Sequence, residues 1–477
     1  MARIATMIAL WVIAAWHRLQ VVNEAIIGSD SLGPYLQAQA ALLGHLPRPP
    51  NPESGDALWL LSVPIVLLSD SLEALFSARF VIGGVVAPVA FASAWHWTSE
   101  TASTSRRWAA AVTAGIFVAF DPGLLDTLVS GARSYAAPEL IGLFTLSLAL
   151  SIRAHPWAPA AAACTIVAAA GNHPLAIGMA LGVTPLLIRL HKTQGGRALK
   201  LGLAVGAVAA VPRLLRVINL ALCGDGISAC LTRVAQSNVT GEVAWTSILQ
   251  RALHDRWLVD MDAGAWILLA GLGAILLCRT ADHRRAGQFA LLGTAGILLI
   301  GLSQGYVRSY HLRITAVPIA VAAAMGLARV WPVAIIAAAV FVTKTYSLTP
   351  VGPDPGAAMR HDTVAQALPD QPLWVDRVWW DGAPLLDPSA VVMSAWLGGR
   401  SDFRLGPDTA MVVLQCGGDE TSASIASGNG WSALKFEDHT EARQWLNTAN
   451  RLPHQRGGAY DWATITNPAT RLEDARW

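Results

Sequence analysis

Charge is what this chain has least of. Only 14% of its 477 residues are Asp, Glu, Lys or Arg, where a soluble globular domain carries about a quarter. Against that, 53% are hydrophobic and the mean hydropathy is +0.44. A chain so poor in charge does not cover a water-facing surface, which excludes a soluble globular protein and implies a polytopic membrane protein. Basic runs are missing as well, and with a net charge of +2 nothing points to a nucleic-acid partner. Cysteine is scarce, with five in all. Cys223 and Cys230, in Cys-Gly-Asp-Gly-Ile-Ser-Ala-Cys, have no neighbouring His or Cys to complete a metal set. A small disulfide loop is the expected pairing if that segment faces an oxidising compartment. Cys164 and Cys278 fall within apolar runs and read as small packing residues; Cys416 has no evident partner in the sequence.

What the chain does have is apolar runs of spanning length, roughly 20 residues each, recurring up to residue 347. They fall near 4–22, 78–97, 108–121, 136–152, 157–171, 174–190, 199–213, 263–278, 286–303, 311–328 and 330–347, so about eleven transmembrane helices are expected. Met1 to Val22 lacks a small-residue cleavage site and is expected to stay as the first helix. Lys and Arg collect in every second connection: Arg106-Arg107, Arg153, the cluster Arg189, Lys192, Arg197 and Lys200, then Arg279, Arg284 and Arg285, and last Arg329. The alternation places the N-terminus in the cytoplasm. It puts the long segments 23–77, 214–262 and 348–477 on the outer face. Trp95, Trp97, Trp108 and Trp157 read as interfacial belt residues.

After residue 347 the composition turns polar. A linker, Val351-Gly352-Pro353-Asp354-Pro355-Gly356, separates residues 1–347 from a soluble segment. In that segment strands are expected at about 373–379, 411–415 and 433–437, with helices at about 357–368, 388–397 and 441–449. Alternating strands and helices predict a small α/β domain. It carries neither a Gly-rich phosphate fingerprint nor a nucleophile elbow.

The candidate chemistry gathers in the first outer segment. Asp30, in Gly28-Ser29-Asp30-Ser31, follows the first helix and opens an amphipathic run from Tyr35 to Gly44. A carboxylate there is placed to act as a general base on an acceptor hydroxyl, or to hold a divalent cation beside a phosphate. On local pattern alone it reads as a helix N-cap. Asp56 and Glu24 lie in the same segment and are second-carboxylate candidates, with Asp56 also a cap for a helix over 57–68. Arg133, Arg213, Arg216, Arg308, His311 and Arg313 stand at outer ends of spans. There an Arg fork suits phosphate oxygens, or simply snorkels to headgroups. His173, in Asn172-His173-Pro174, reads as a capping or packing residue.

Several of these stretches together resemble the GT-C superfamily of membrane glycosyltransferases, in particular the polyprenyl-phosphate-sugar-dependent protein O-mannosyltransferase and aminoarabinose transferase type. Arg18-Leu19 stands where the family's first helix ends near an Arg. Asp30 stands where its acidic pair opens an amphipathic helix, with Gly44 at the corresponding offset. Ala78-Arg79-Phe80 is similar to its Arg-Leu entry to the second helix. Phe120-Asp121-Pro122-Gly123-Leu124-Leu125 resembles its Pro-Leu turn, and Tyr310-His311-Leu312-Arg313-Ile314-Thr315-Ala316-Val317-Pro318 resembles its late Arg-Tyr-x-Leu-x-x-x-Pro segment. Two departures stand out: Ser31 replaces the family's Glu, and Gly55-Asp56 with Ala57–Leu61 stands in place of a His/Lys-Pro-Pro-Leu run.

The resemblance implies an all-α, GT-C-like membrane domain with an outer C-terminal domain. It implies inverting transfer of a sugar from a polyprenyl-phosphate donor to an acceptor on the outer face of a bacterial inner membrane. Asp30 would be the base, Arg308 and Arg313 would hold the phosphate, and Asp56, Glu24 and His311 would line the substrate; a divalent cation is optional. Two rivals accompany it. One is a GT-C-fold scaffold without catalysis, which Ser31 favours. The other is a transporter or flippase of a lipid-linked substrate, which the scarcity of central charges disfavours.

Overall fold

The structure is a computed structural model that describes residues 1–20, 56–68, 72–98, 102–129, 136–222, 263–278, 280–303 and 309–345, together with six short strands between 373 and 465. The amphipathic run at 35–44, the expected disulfide Cys223–Cys230 and the expected helices at 357–368 and 441–449 lie outside the described residues. The chain divides into two compact units. One comprises 1–22, 79–128 and 134–350; the other comprises 23–78, 129–133 and 351–477.

The described helices are α1 (Ala2–Leu19), α2 (Asp56–Leu68), α3 (Leu72–Gly83), α4 (Val86–Trp97), α5 (Thr104–Ala119), α6 (Pro122–Val129), α7 (Ala137–Ile152) and α8 (Ala158–Asn172). After a 3-10 segment (Pro174–Leu186) come α9 (Leu187–Leu222), α10 (Ala263–Leu276), α11 (Ala281–Ser303), the single turn α12 (Ser309–Leu312), α13 (Ala316–Leu327) and α14 (Trp331–Thr345). Helix is found within each of the expected stretches among the described residues. Among the described residues four stretches are long and apolar enough to cross a membrane, Ser77–Trp97, Thr104–Leu125, Pro174–Gly196 and His283–Leu302. Large apolar side chains stand fully outward on the surface, among them Trp157, Ile188, Leu203 and Ile336. In water such a surface would be a liability; facing lipid it is the expected one. The chain is an integral membrane protein.

The first unit is built around α13, whose residues from Ala316 to Gly326 are all buried. It packs against α4, α5, α7, α10, α11 and α14. Its sequence, Ala-Val-Pro-Ile-Ala-Val-Ala-Ala-Ala-Met-Gly-Leu, explains the position, because a bundle in lipid tightens by bringing small residues together. A very close approach joins the 3-10 segment to α11. There a side chain on Gly296 would overlap the Gly178 carbonyl, and one on Gly182 would come within 2.5 Å of the Phe289 carbonyl.

One local feature departs from sequence expectation, and two breaks in the helices have a local physical reason. The span expected at 174–190 is wound as 3-10 helix to Leu186, with Pro185 inside it removing an N–H that an α-helix would use. Helix α9 is two helices meeting at Gly195, at φ 67° and ψ 175°, a conformation open to glycine. The interruption at Gly83-Gly84 has a packing reason: a side chain on Gly84 would lie 3.0 Å from the Ala15 nitrogen of α1.

In the second unit the strands are β1 (Leu373–Asp376), β2 (Val391–Val392), β3 (Met411–Cys416), β4 (Ser424–Gly428), β5 (Trp431–Phe436) and β6 (Trp462–Ile465). They form a sheet in the order β2-β6-β1-β3-β5-β4, with β1 and β3 parallel and the other pairs antiparallel. Where a helix is expected at 388–397, the β-branched pair Val391–Val392 instead pairs with β6.

The glycine contact carries a stability prediction. Gly296→Ala lowers thermal stability by about 1–3 kcal/mol through overpacking, whereas Gly273→Ala, which would meet nothing within 4 Å, leaves it unchanged or slightly raised. Thermal unfolding of the two variants in detergent checks this.

Candidate functional site

Antiparallel neighbours bring one set of helix ends together, and that end of the first unit holds buried polar side chains. Helix α1 finishes on His17 and Arg18, which are 8% and 2% exposed. A guanidinium so deep in an apolar bundle is costly unless an opposite charge or dipole answers it. A carboxyl group enters nearby from α7, where Glu139 sits in the first turn behind Pro138, a position that the helix dipole favours for a carboxylate. Gly83 at the end of α3 makes room for both: a side chain there would lie 2.6 Å from Arg18 Nη1 and 3.4 Å from Glu139 Oε1. Glu139 Oε2 is shielded from solvent and has no hydrogen-bond partner among the described residues. Arg79, on the same helix as Gly83, is buried too.

The His17 ring tilts against Phe120, with centroids 4.9 Å apart, and leads to the turn Phe120-Asp121-Pro122-Gly123. Asp121 precedes α6 and caps it: its Oδ1 accepts from the Gly123 N–H at 2.8 Å and from the Leu124 N–H at 3.1 Å. An Asp cap followed by Pro is a favoured helix start. The same oxygen lies 3.6 Å from Arg313 Nη1, both side chains being only slightly exposed. The Arg313 guanidinium spreads directly over Gly123, where any side chain would overlap it. Arg313 opens a 3-10 turn, Arg313–Thr315, that joins α12 to α13 and packs against α7.

One turn back, His311 is fully buried, its ring 4.7 Å from that of His173. His173 caps the 3-10 segment, its Nδ1 accepting from the Leu175 N–H at 3.3 Å, which is the capping role its sequence context suggests. Beside it, Asn172 is 1% exposed, and neither its Oδ1 nor its Nδ2 has a hydrogen-bond partner among the described residues.

Of the residues singled out in the sequence, the structure therefore brings His311 and Arg313 into one cluster with Asp121 and His173. Asp56 is the first residue of α2, in the other unit. Asp30, Glu24, Arg308, Cys223 and Cys230 lie outside the described residues. Sequence reasoning passed over Glu139 and Asn172. The available signal for Glu139 was a lone carboxylate one turn into an apolar span, a position that is costly without a purpose. Among the described residues no three His, Cys, Asp or Glu side chains converge as a metal set. Chemically the cluster combines guanidinium groups, whose forks match phosphate and carboxylate oxygens, with carboxylates and imidazoles that can orient hydroxyls.

No protein-family model matches the chain, and no curated protein matches it in sequence. Among solved structures it is similar to the arabinosyltransferase EmbB from Mycobacterium smegmatis, determined by single-particle cryo-electron microscopy. The match has a TM-score of 0.41 and 12% identity over 67% of this chain. The chain spans about 30% of that protein's length.

Asp121 has two separable roles, as a cap and as a charge. Asp121→Ala removes both and costs about 1 kcal/mol or more of stability, whereas Asp121→Asn keeps a capping oxygen and costs less. Equal melting temperatures for the two variants would remove the capping role.

Proposed function

We propose that this chain is a GT-C-like membrane glycosyltransferase that moves a sugar from a polyprenyl-phosphate donor to an acceptor hydroxyl on the outer face of a bacterial inner membrane. One observation carries the reading. The two internal segments that resemble the family, Phe120–Leu125 and Tyr310–Pro318, are far apart in sequence yet meet in space. Arg313 of the second lies over Gly123 of the first and pairs with Asp121. In this reading about eleven spans cross the membrane with the N-terminus in the cytoplasm. The polar helix ends around Arg18, Asp121, Glu139, His173 and Arg313 face outward, and the sheet-bearing C-terminal segment belongs to an outer α/β domain.

The reaction follows from the groups assigned. Asp30 takes the proton of the acceptor hydroxyl as its oxygen attacks the anomeric carbon. The new carbon–oxygen bond forms on the face opposite the phosphate, and the bond from the anomeric carbon to the phosphate oxygen breaks, so configuration inverts. The electron pair leaves with the polyprenyl phosphate, whose charge Arg313, with Arg308, stabilises through bidentate hydrogen bonds. His311, Asp56 and Glu24 are assigned to the substrate's surroundings. A second reading, a GT-C-fold scaffold without catalysis, rests on Ser31 standing where the family has Glu.

The test is transfer of labelled sugar from a panel of polyprenyl-phosphate donors in membranes carrying the protein. Asp30→Asn is expected to abolish turnover with expression and folding intact. Arg313→Gln is expected to raise the donor KM about ten- to a hundredfold, the worth of a charged hydrogen bond. Unchanged turnover in Asp30→Asn would remove the base assignment, and a wild type inactive with every donor would favour the scaffold.

A further inference from the structure

Two groups at the polar helix ends take no part in the contact of Arg313 with Asp121. The Asn172 amide and Glu139 Oε2 are both shielded from solvent, and neither has a hydrogen-bond partner among the described residues. Asn172 ends a buried stripe on α8, after Ala158, Ala162 and Ala169, whose spacing keeps it on one helix face. Its amide is therefore turned into the bundle, where it is 1% exposed. Helices α7 and α8 pack against each other and are joined by the short connection 153–157, the geometry of an antiparallel hairpin. Glu139 stands about 13 residues before the end of α7 and Asn172 about 14 after the start of α8. Each distance is ~20 Å of helix, which brings the two residues to one level. The segment carrying Arg313 meets both elements. His311 rests on His173, the neighbour of Asn172, and the 3-10 turn Arg313–Thr315 packs against α7.

An unpaired amide in an apolar bundle is costly, and the two groups specify what would satisfy them. Asn172 presents an acceptor oxygen and a donor nitrogen, and Glu139 Oε2 presents a further acceptor. A partner for both must donate to oxygens and accept from a nitrogen. Neighbouring hydroxyls on one ring do this, because each hydroxyl both donates and accepts. A phosphate brings acceptors alone, and an acyl chain brings neither. We propose that Asn172 and Glu139 form the sugar subsite beside Arg313, Asn172 reading a pair of neighbouring hydroxyls of the transferred sugar and Glu139 one more. They determine specificity and do not react. The subsite rests on the transferase reading above, in which Arg313 holds the phosphate to which that sugar is joined.

The test uses the full chain in mild detergent, with affinities read from the ligand-dependent rise in melting temperature. The ligands are undecaprenyl phosphate alone, its mannosyl, glucosyl and arabinosyl esters, and the monodeoxy form of each sugar ester. Wild type is expected to bind one sugar ester about tenfold more tightly than undecaprenyl phosphate, and to lose about that factor on one deoxy form. Asn172→Leu is expected to lose this preference, to bind the deoxy form and its parent alike, and to bind undecaprenyl phosphate as wild type does. Its melting temperature without ligand is expected to rise, because an unpaired buried amide is removed. Asn172→Ala gives the same affinity readout if the leucine does not fit. Glu139→Gln is expected to weaken binding of the sugar ester about fivefold, whereas Arg313→Gln weakens binding of every ligand in the set. A sugar preference that survives in the Asn172 variants would overturn the subsite. If it survives while the ligand-free melting temperature falls, the amide is structural and bridged by a buried water. Unaltered sugar affinity in Glu139→Gln would strike Glu139 from the subsite. Wild type binding undecaprenyl phosphate as tightly as every sugar ester would overturn the subsite and leave the phosphate assignment standing. Failure of every polyprenyl phosphate to bind would overturn the transferase reading, and the subsite with it.

Discussion

The polar end of the bundle depends on the contact of Arg313 with Asp121 across Gly123. Residues 120–123 and 310–313 belong to turns that are remote in sequence, and each is set locally: Asp121 by capping α6, Arg313 by the 3-10 turn that starts α13. The missing side chain at Gly123 lets the guanidinium lie flat over the backbone. A pair as little exposed as this one is not the interchangeable surface ion pair of small worth, because removing one partner leaves the other's charge shielded from water. The same contact ties α13, buried from Ala316 to Gly326, to the α5–α6 corner, so the geometry of the polar cluster is inherited from the core.

That inheritance explains why the cluster tolerates so much buried polarity. Arg18, His311 and Asn172 are nearly or wholly inaccessible, and each would be expensive in a loosely packed apolar bundle. They stand at helix ends, where unsatisfied backbone groups and helix dipoles supply partial charges, and where Gly83 and Gly123 open space for guanidinium groups. The opposite end solves a different problem. Its arginines rest on Trp95 and on backbone carbonyls.

Much of the membrane part was legible because an apolar run of spanning length has few alternatives. His311 and Arg313 stood out in the sequence because they fall in a segment resembling a known family, whereas their gathering with Asp121 and His173 appears only in the packed structure. Glu139 and Asn172 were not, since one polar residue in an apolar helix forms no motif and its neighbours are known only once the helices are packed. The 3-10 winding of Pro174–Leu186 was equally hidden: hydropathy does not distinguish it from an α-helix, and the close approach of Gly178 to Gly296 is a tertiary fact. In the sheet, β2 depends on pairing with β6 some 70 residues on, which the local pattern at Val391–Val392 does not reveal. The β4–β5 pair did have a readable signal. Gly428 pairs with Trp431, leaving only Asn429-Gly430 between the strands, a sequence strongly associated with two-residue hairpins.

The most direct measurement of the central claim is an experimental structure of the chain with an unreactive phosphonate analogue of a polyprenyl-phosphate sugar. The account predicts phosphonate oxygens at hydrogen-bond distance, about 3 Å, from the Arg313 guanidinium, at the helix ends where Asp121, Glu139 and His311 gather. A phosphonate bound at the Arg3–Arg107 end instead, with Arg313 engaged only by Asp121, would contradict it.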